Sequence, residues 1–186
     1  MDSLADAIRY EGLDGEIAVL IANKKCDALE RAKGFGIPAV LLESAGKERE
    51  AYDKVLHKEL QKHTIDLILL VGYMRFLSKW FVDKWHHKIM NIHPSLLPEF
   101  AGGMDLEVHK AVLAAGKKET GATIHFVDET PDGGQIVLQR KVAVSRNETP
   151  ESLKGKVQAV ERELLVEAVA LYSKGSIRME KSSMAA

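Results

Sequence analysis

Hydrophobic positions along the chain switch repeatedly between two patterns. Glu16 to Ala22, Ile37 to Leu42 and Ile65 to Val71 are near-continuous apolar runs, and Lys88 to His93 follows as a fourth strand. Runs of this kind mark strands covered on both faces. Between them, apolar residues take helical spacing. Ser3 to Tyr10 carries Leu4, Ala7 and Ile8 on one side, Cys26 to Gly34 reads as a helix stopped by glycine, and Lys47 to His63 spaces Ala51, Val55, Leu56 and Leu60 as a helix face. Trp80, Phe81 and Trp85 mark a short helical piece, and Val108 to Ala115 a further helix. Gly121 to Val127 and Gln135 to Val144 alternate instead, joined by the loop Asp128 to Gly134, which predicts an antiparallel edge. Thr149-Pro150 is a cap followed by proline at the first helical position. That helix carries Leu153, Val157, Val160, Leu164 and Leu171 as its core stripe, and Ser176 to Met179 reads as a last short strand. Strands alternating with helices predict an α/β three-layer sandwich, a mostly parallel sheet with an antiparallel edge.

No repeat, linker or low-complexity tract divides the 186 residues, so one domain is expected over 1–180, with a disordered tail at 181–186. A hydrophobic content of 46% with 28% charged residues is that of an ordinary soluble protein. The formal net charge of −1 gives no overall field drawing the chain to nucleic acid, though it leaves a local basic patch open. No apolar run approaches the ~20 residues that span a bilayer. The acidic start, Met1 to Asp6, is not a signal peptide. No membrane partner and a cytoplasmic location are therefore expected. The single Cys26 excludes an internal disulfide and a multi-cysteine zinc site, and reads as a small buried or half-buried residue rather than a nucleophile. No histidine pair has zinc-helix spacing and no serine elbow appears, so no metal is expected.

Candidate chemistry gathers in the run Asn91-Ile92-His93-Pro94-Ser95-Leu96-Leu97-Pro98. Side chains alternate along an extended chain, so Asn91 and His93 share a face, and Pro94 ends the pairing. The result is an amide and an imidazole at the carboxyl end of a strand, the edge where open α/β sheets bind ligands. A strand end with two solvated polar residues is the competing reading. Imidazole is useful near neutral pH, and a partner carboxylate would hold the ring and raise its pKa. Asp132, in Thr130-Pro131-Asp132-Gly133-Gly134, is the candidate; the other reading is a turn aspartate capping its own backbone. Gly72 to Leu77 is an apolar, aromatic turn that can wall a pocket for a flat heterocycle or simply staple a loop to the core. Gln158 and Glu161 share a helix face and could hold an amine or a hydroxyl, or be plain solvated surface. His125 alternates with Thr123 and Val127 and can face Asn91. His57, His63 and His109 look like helix surface, and His86-His87 a surface turn.

Together these segments resemble the phosphoribosylglycinamide formyltransferase family of purine synthesis. NIHPSLLP at 91–98, GYMRFLS at 72–78, REAYD at 49–53, TGATIHFVDETPDGG at 120–134 and VQAVE at 157–161 stand in the family's order and spacing, over about residues 2 to 180. The resemblance implies a Rossmann-like formyltransferase fold and direct transfer of the formyl group of 10-formyltetrahydrofolate, as co-substrate, to the amine of glycinamide ribonucleotide. Carried over by position, Asn91, His93 and Asp132 would be catalytic: Asn91 bonding the formyl oxygen, and His93, held and charged by Asp132, stabilising the oxyanion and acting as general acid. His125 would support them. The folate site would be Arg49, Met74, Arg75, Phe76, Leu77, Asn91 and the loop Asp128, Glu129, Thr130, Pro131 and Asp132. Gln158, Ala159, Val160 and Glu161 would meet the glycinamide ribonucleotide. A monomer or weak homodimer is expected.

Two departures from that family stand out. Family members open with a strand and a Gly-x-Gly-x-Asn-type loop that cradles phosphate with backbone N–H groups. Met1-Asp2-Ser3-Leu4 falls in the helix that should follow, so the expectation is a chain that starts further upstream, with weak phosphate binding and poor stability without that segment. The run Phe100-Ala101-Gly102-Gly103-Met104 also departs from the family's usual proline near 101 and histidine shortly after. Alternatives are another formyltetrahydrofolate-using transferase or hydrolase, and a non-catalytic folate-binding remnant.

Overall fold

The structure, a computed structural model, describes residues 1–177. Its elements run α1 (Asp2–Tyr10), β1 (Leu20–Ala22), α2 (Asp27–Gly34), β2 (Ala39–Leu41), α3 (Arg49–Leu60), β3 (Ile68–Leu70), α4 (Lys79–Lys84), β4 (Ile89–His93), α5 (Leu106–Ala114), β5 (Glu119–Phe126), β6 (Ile136–Ala143) and α6 (Pro150–Ser173). Every element expected up to α6 is present, most of them shorter than the apolar runs that announced them. Ser176 and Ile177 belong to no strand; the rest of that expected strand and the tail lie outside the described residues.

β1 and β2 pair in parallel. β3 and β4 pair in parallel, β4 and β5 antiparallel, β5 and β6 antiparallel, giving the order β3-β4-β5-β6. The antiparallel edge is therefore as expected, while the strands form two ladders rather than one. β1, β2 and β3 are half-buried, not covered on both faces as their apolar runs predict. Among the described residues β1 bonds only to β2 and β3 only to β4, so each keeps one unpaired edge.

Strand alternation sorts the core into two layers of side chains. Leu69, Met90, Ile92, Ala122 and Ile124 pack with Val108 and Val112 of α5 and Leu153, Val157, Leu164 and Ala168 of α6. Ile68, Leu70 and Ile89 point the other way, onto Tyr52, Leu56 and Leu60 of α3 and Phe81 of α4. Helices on both faces of a sheet make the three layers. On α3 the buried stripe is Tyr52, Leu56 and Leu60; Ala51 and Val55, expected inside, are exposed. The stripe sits one position over because Tyr52 brings far more apolar area than Ala51. On α6 the stripe holds at Leu153, Val157 and Leu164, while Val160 and Leu171 are half-buried. Thr149 accepts from the Ser152 N–H and Pro150 opens the helix, as their order predicts. Cys26 is exposed at the start of α2, not half-buried. No described helix is long and apolar enough to cross a membrane.

Candidate active site

β4 sits between a parallel neighbour, β3, and an antiparallel one, β5, and delivers Asn91 and His93 to the carboxyl edge of the sheet. Register places Asn91 opposite His125. The loop from β5 to β6 returns Asp132 to the same point. Asp128 Oδ1 accepts from the Thr130 N–H at 2.7 Å and the Gly133 N–H donates to the Thr130 carbonyl at 3.0 Å, closing a tight turn. Asp132 itself takes a left-handed backbone, φ 53°. A Cβ at Gly134 would lie 2.0 Å from the Phe126 carbonyl oxygen, so only glycine closes the loop there. It is Asp128, not Asp132, that caps the turn, which frees the Asp132 carboxylate for other donors.

Those donors converge on both of its oxygens. Oδ2 accepts the Gly102 N–H at 2.8 Å and lies 3.2 Å from His93 Nδ1. Oδ1 takes the Asn91 Nδ2–H at 3.3 Å and lies 3.4 Å from His125 Nε2. His125 Nδ1–H donates to the Phe126 carbonyl at 2.8 Å, which leaves Nε2 to accept from the Asn91 amide at 3.2 Å; this tautomer is assigned from the network. Burial works to raise the Asp132 carboxyl, but the His125 contact, the Gly102 N–H bond and the field of His93 outweigh it and hold it below its ordinary value.

His93 is 3% exposed. Its Nε2 lies 3.0 Å from the Phe100 carbonyl oxygen, so both ring nitrogens face acceptors. Only a ring protonated at both nitrogens satisfies both contacts. Burial pushes the imidazolium below its ordinary value, against the upward pull of Asp132 and of the Phe100 carbonyl. The geometry favours the cation while burial disfavours it. The balance is a loosely held proton, the property a general acid needs.

Around this cluster lies a cavity of about 440 Å³. Its wall contains every expected site residue except two: Arg49, Met74, Arg75, Phe76, Leu77, Asn91, His93, His125, Asp128 to Asp132, Gln158 and Glu161. Ala159 and Val160, expected to meet the acceptor, lie off it. Ala159 faces solvent and Val160 packs on the core, because only every third or fourth position of α6 faces the cavity. Val71, Met74 and Phe76 are 52%, 43% and 40% exposed, an open apolar wall. Arg75 anchors that wall, donating to the carbonyls of Ser44 and Lys47 and lying over the Tyr52 ring. Glu129 pairs with Lys79.

Several lining groups were not anticipated. Lys154 stands one turn before Gln158 on α6, so Lys154, Gln158 and Glu161 follow helical spacing; that spacing was available as a signal. His109 is buried in the cavity wall, not on the helix surface as expected. The backbone partners Phe100 and Gly102 carry no side-chain signal at all.

Glu161 is pushed up from 4.5 to about 7, by burial first, against Lys154 and Arg162, which pull it down. A folded value above the unfolded one means that the folded chain holds the proton between those two pH values. The associated stability is full below about pH 4.5 and is lost as pH rises towards 7. Glu161→Gln cannot ionise, so its melting temperature relative to the parent should climb across that window. Parallel melting curves for the two proteins from pH 4.5 to 7.5 would contradict this.

A buried acid–imidazole pair thus stands beside a strand-end amide at the carboxyl edge of an α/β sheet. The chain belongs to the formyl transferase family, which it matches over residues 1–169. The phosphoribosylglycinamide formyltransferase of Escherichia coli is 34% identical over 186 residues, 98% of this chain and 86% of that protein. The trifunctional purine biosynthetic protein adenosine-3 of Bos taurus is 39% identical over 181 residues, 96% of this chain and 18% of that protein. The chain thus spans less than a fifth of such trifunctional relatives. Glycinamide ribonucleotide transformylase 1 from Symbiobacterium toebii superposes with a TM-score of 0.90 at 36% identity, covering 96% of this chain and 84% of that one.

Proposed function

We propose that this chain transfers the formyl group of 10-formyltetrahydrofolate to the amine of glycinamide ribonucleotide. The observation that carries the reading is the His93–Asp132 contact, buried at the wall of a cavity that is apolar at Met74 and Phe76 and polar at Lys154, Gln158 and Glu161. The apolar wall suits the flat heterocycle of a folate, and the polar end suits a small amine-bearing acceptor. The relatives' names supply the acceptor.

The chemistry follows from the charges. A neutral amine attacks the formyl carbon, a carbon–nitrogen bond forms, and negative charge builds on the formyl oxygen. The His93 imidazolium, backed by Asp132, is the donor for that oxygen, with the Asn91 amide beside it. Collapse breaks the bond to the folate nitrogen, which takes a proton from His93, while ordered water carries the proton lost by the attacking amine to His93 and restores the imidazolium. Every bond made is matched by one broken, and no covalent enzyme intermediate is needed. His93 Nε2 and Asn91 Nδ2 are both engaged within the chain, so the formyl oxygen must displace the Phe100 carbonyl and share the Asn91 amide.

The test is a transfer assay with 10-formyltetrahydrofolate, run with and without glycinamide ribonucleotide. Formylated ribonucleotide appearing in step with tetrahydrofolate is the expected result. Release of formate that ignores the acceptor would favour a hydrolase, and donor binding without turnover a non-catalytic module. The complete Asn91, His93 and Asp132 set favours the transferase over the latter.

A further inference from the structure

Helix α5 carries a titratable side chain that the scheme above leaves unused. His109 is 2% exposed, flanked on the helix by the buried Val108 and by Val112. Its Nδ1 is buried without a hydrogen-bond partner, and Nε2 has none among the described residues. A buried ring nitrogen with nothing to bond is a net cost to folding, and an aliphatic side chain here would avoid it. The ring nevertheless lines the cavity that holds His93.

Groups from both the His93 cluster and the polar end act on it. The charged groups acting on it are Lys154, Asp105 and His93. Lys154 and Asp105 are tied to each other in an ion pair. Burial, with Lys154 beside it, holds the His109 imidazolium below its ordinary value, against the pull of Asp105. A neutral imidazole offers one N–H donor and one lone pair. The amine of the acceptor arrives with N–H groups to place and a proton to lose, and an uncharged acceptor nitrogen suits it better than a cation would.

We propose that His109 contacts the amine-bearing arm of the acceptor substrate by a hydrogen bond and positions that amine for attack beside His93. This rests on the reading that the cavity takes a formyl donor and an amine acceptor. The role is one of placement: His109 selects and orients the acceptor and leaves the donor alone.

The experiment is steady-state kinetics of His109→Phe, which fills the volume without a nitrogen, with glycinamide ribonucleotide and 10-formyltetrahydrofolate varied in turn. The KM for the acceptor should rise about tenfold or more, the factor for leaving one buried hydrogen bond unmade, while the donor KM stays within about twofold. His109→Asn keeps a polar atom near the Nδ1 position and His109→Gln near Nε2. One of the two should recover most of the acceptor KM and thereby identify the bonding nitrogen. A purely structural ring would instead lower the melting temperature and move both KM values together or neither. An unchanged acceptor KM in folded His109→Phe overturns the proposal. If that variant does not fold, an unchanged acceptor KM in both the Asn and Gln variants does so. Absence of transfer in the parent protein would refute the functional reading itself, whereas normal parent transfer with a silent His109 refutes only this inference.

Discussion

His93→Ala is expected to lower kcat by about a thousandfold or more while the fold survives. In the proposed reaction the residue combines two tasks, donation to a developing oxyanion and delivery of a proton to the leaving nitrogen. Each alone contributes on the order of a hundredfold to a thousandfold or more. The losses do not simply multiply, because one side chain performs both. The structural damage is smaller. His93 closes β4, so truncation leaves a small void and removes its contact with Asp132, while the Gly102 and Asn91 donors and the His125 contact remain. A loss of about 1–3 kcal/mol and a melting point lower by several degrees should follow. Single-turnover measurements alongside thermal melts separate the two effects. A folded variant within about tenfold of parental turnover would remove His93 from the chemistry.

Asp132→Asn keeps shape and removes charge. Turnover should fall by as much as about 10⁴-fold, the loss seen when the acid of a buried acid–imidazole pair becomes an amide. The sign of the pH response is the sharper test. Asp132 pulls the His93 imidazolium upward against burial, so without it the imidazolium falls further. Less of the acid form then remains at neutral pH, and the variant's residual activity should rise as pH falls, its profile displaced to the acid side. A profile of unchanged position would mean that Asp132 acts only as a brace for the Gly102 N–H and the loop.

Much of this arrangement was legible in the residues. Asn91 and His93 stand two apart, so any strand ending at Pro94 must present them together, and the turn chemistry of Thr130 to Gly134 made a returning acid a reasonable partner. Alternation over 121–127 fixed the parity that sets His125 opposite Asn91. Other features had no local trace. An apolar run reports how greasy a strand is, not how many neighbours it bonds, and β1 and β3 came out half-buried for that reason. His109 was misread because Glu107 and Lys110 beside it are exposed, a pattern that looks like surface until the helix is docked. The Phe100 carbonyl and the Gly102 N–H, which hold His93 and Asp132, are backbone groups common to every residue. Their role depends on where the chain folds back.

That His93 and Asn91 occupy a central strand, while their backbone partners lie in the glycine-bearing stretch after Pro98, divides the labour of the cleft. Ladders on both sides make β4 among the last segments to open, and Phe100 and Asp105 hold left-handed backbone angles in a segment with little regular structure. On the proposed reading, ligands would meet reacting groups fixed on a central strand and a rim of little regular structure. Substitutions that stiffen the rim would slow entry and exit, leaving the intrinsic chemistry of the bound pair untouched.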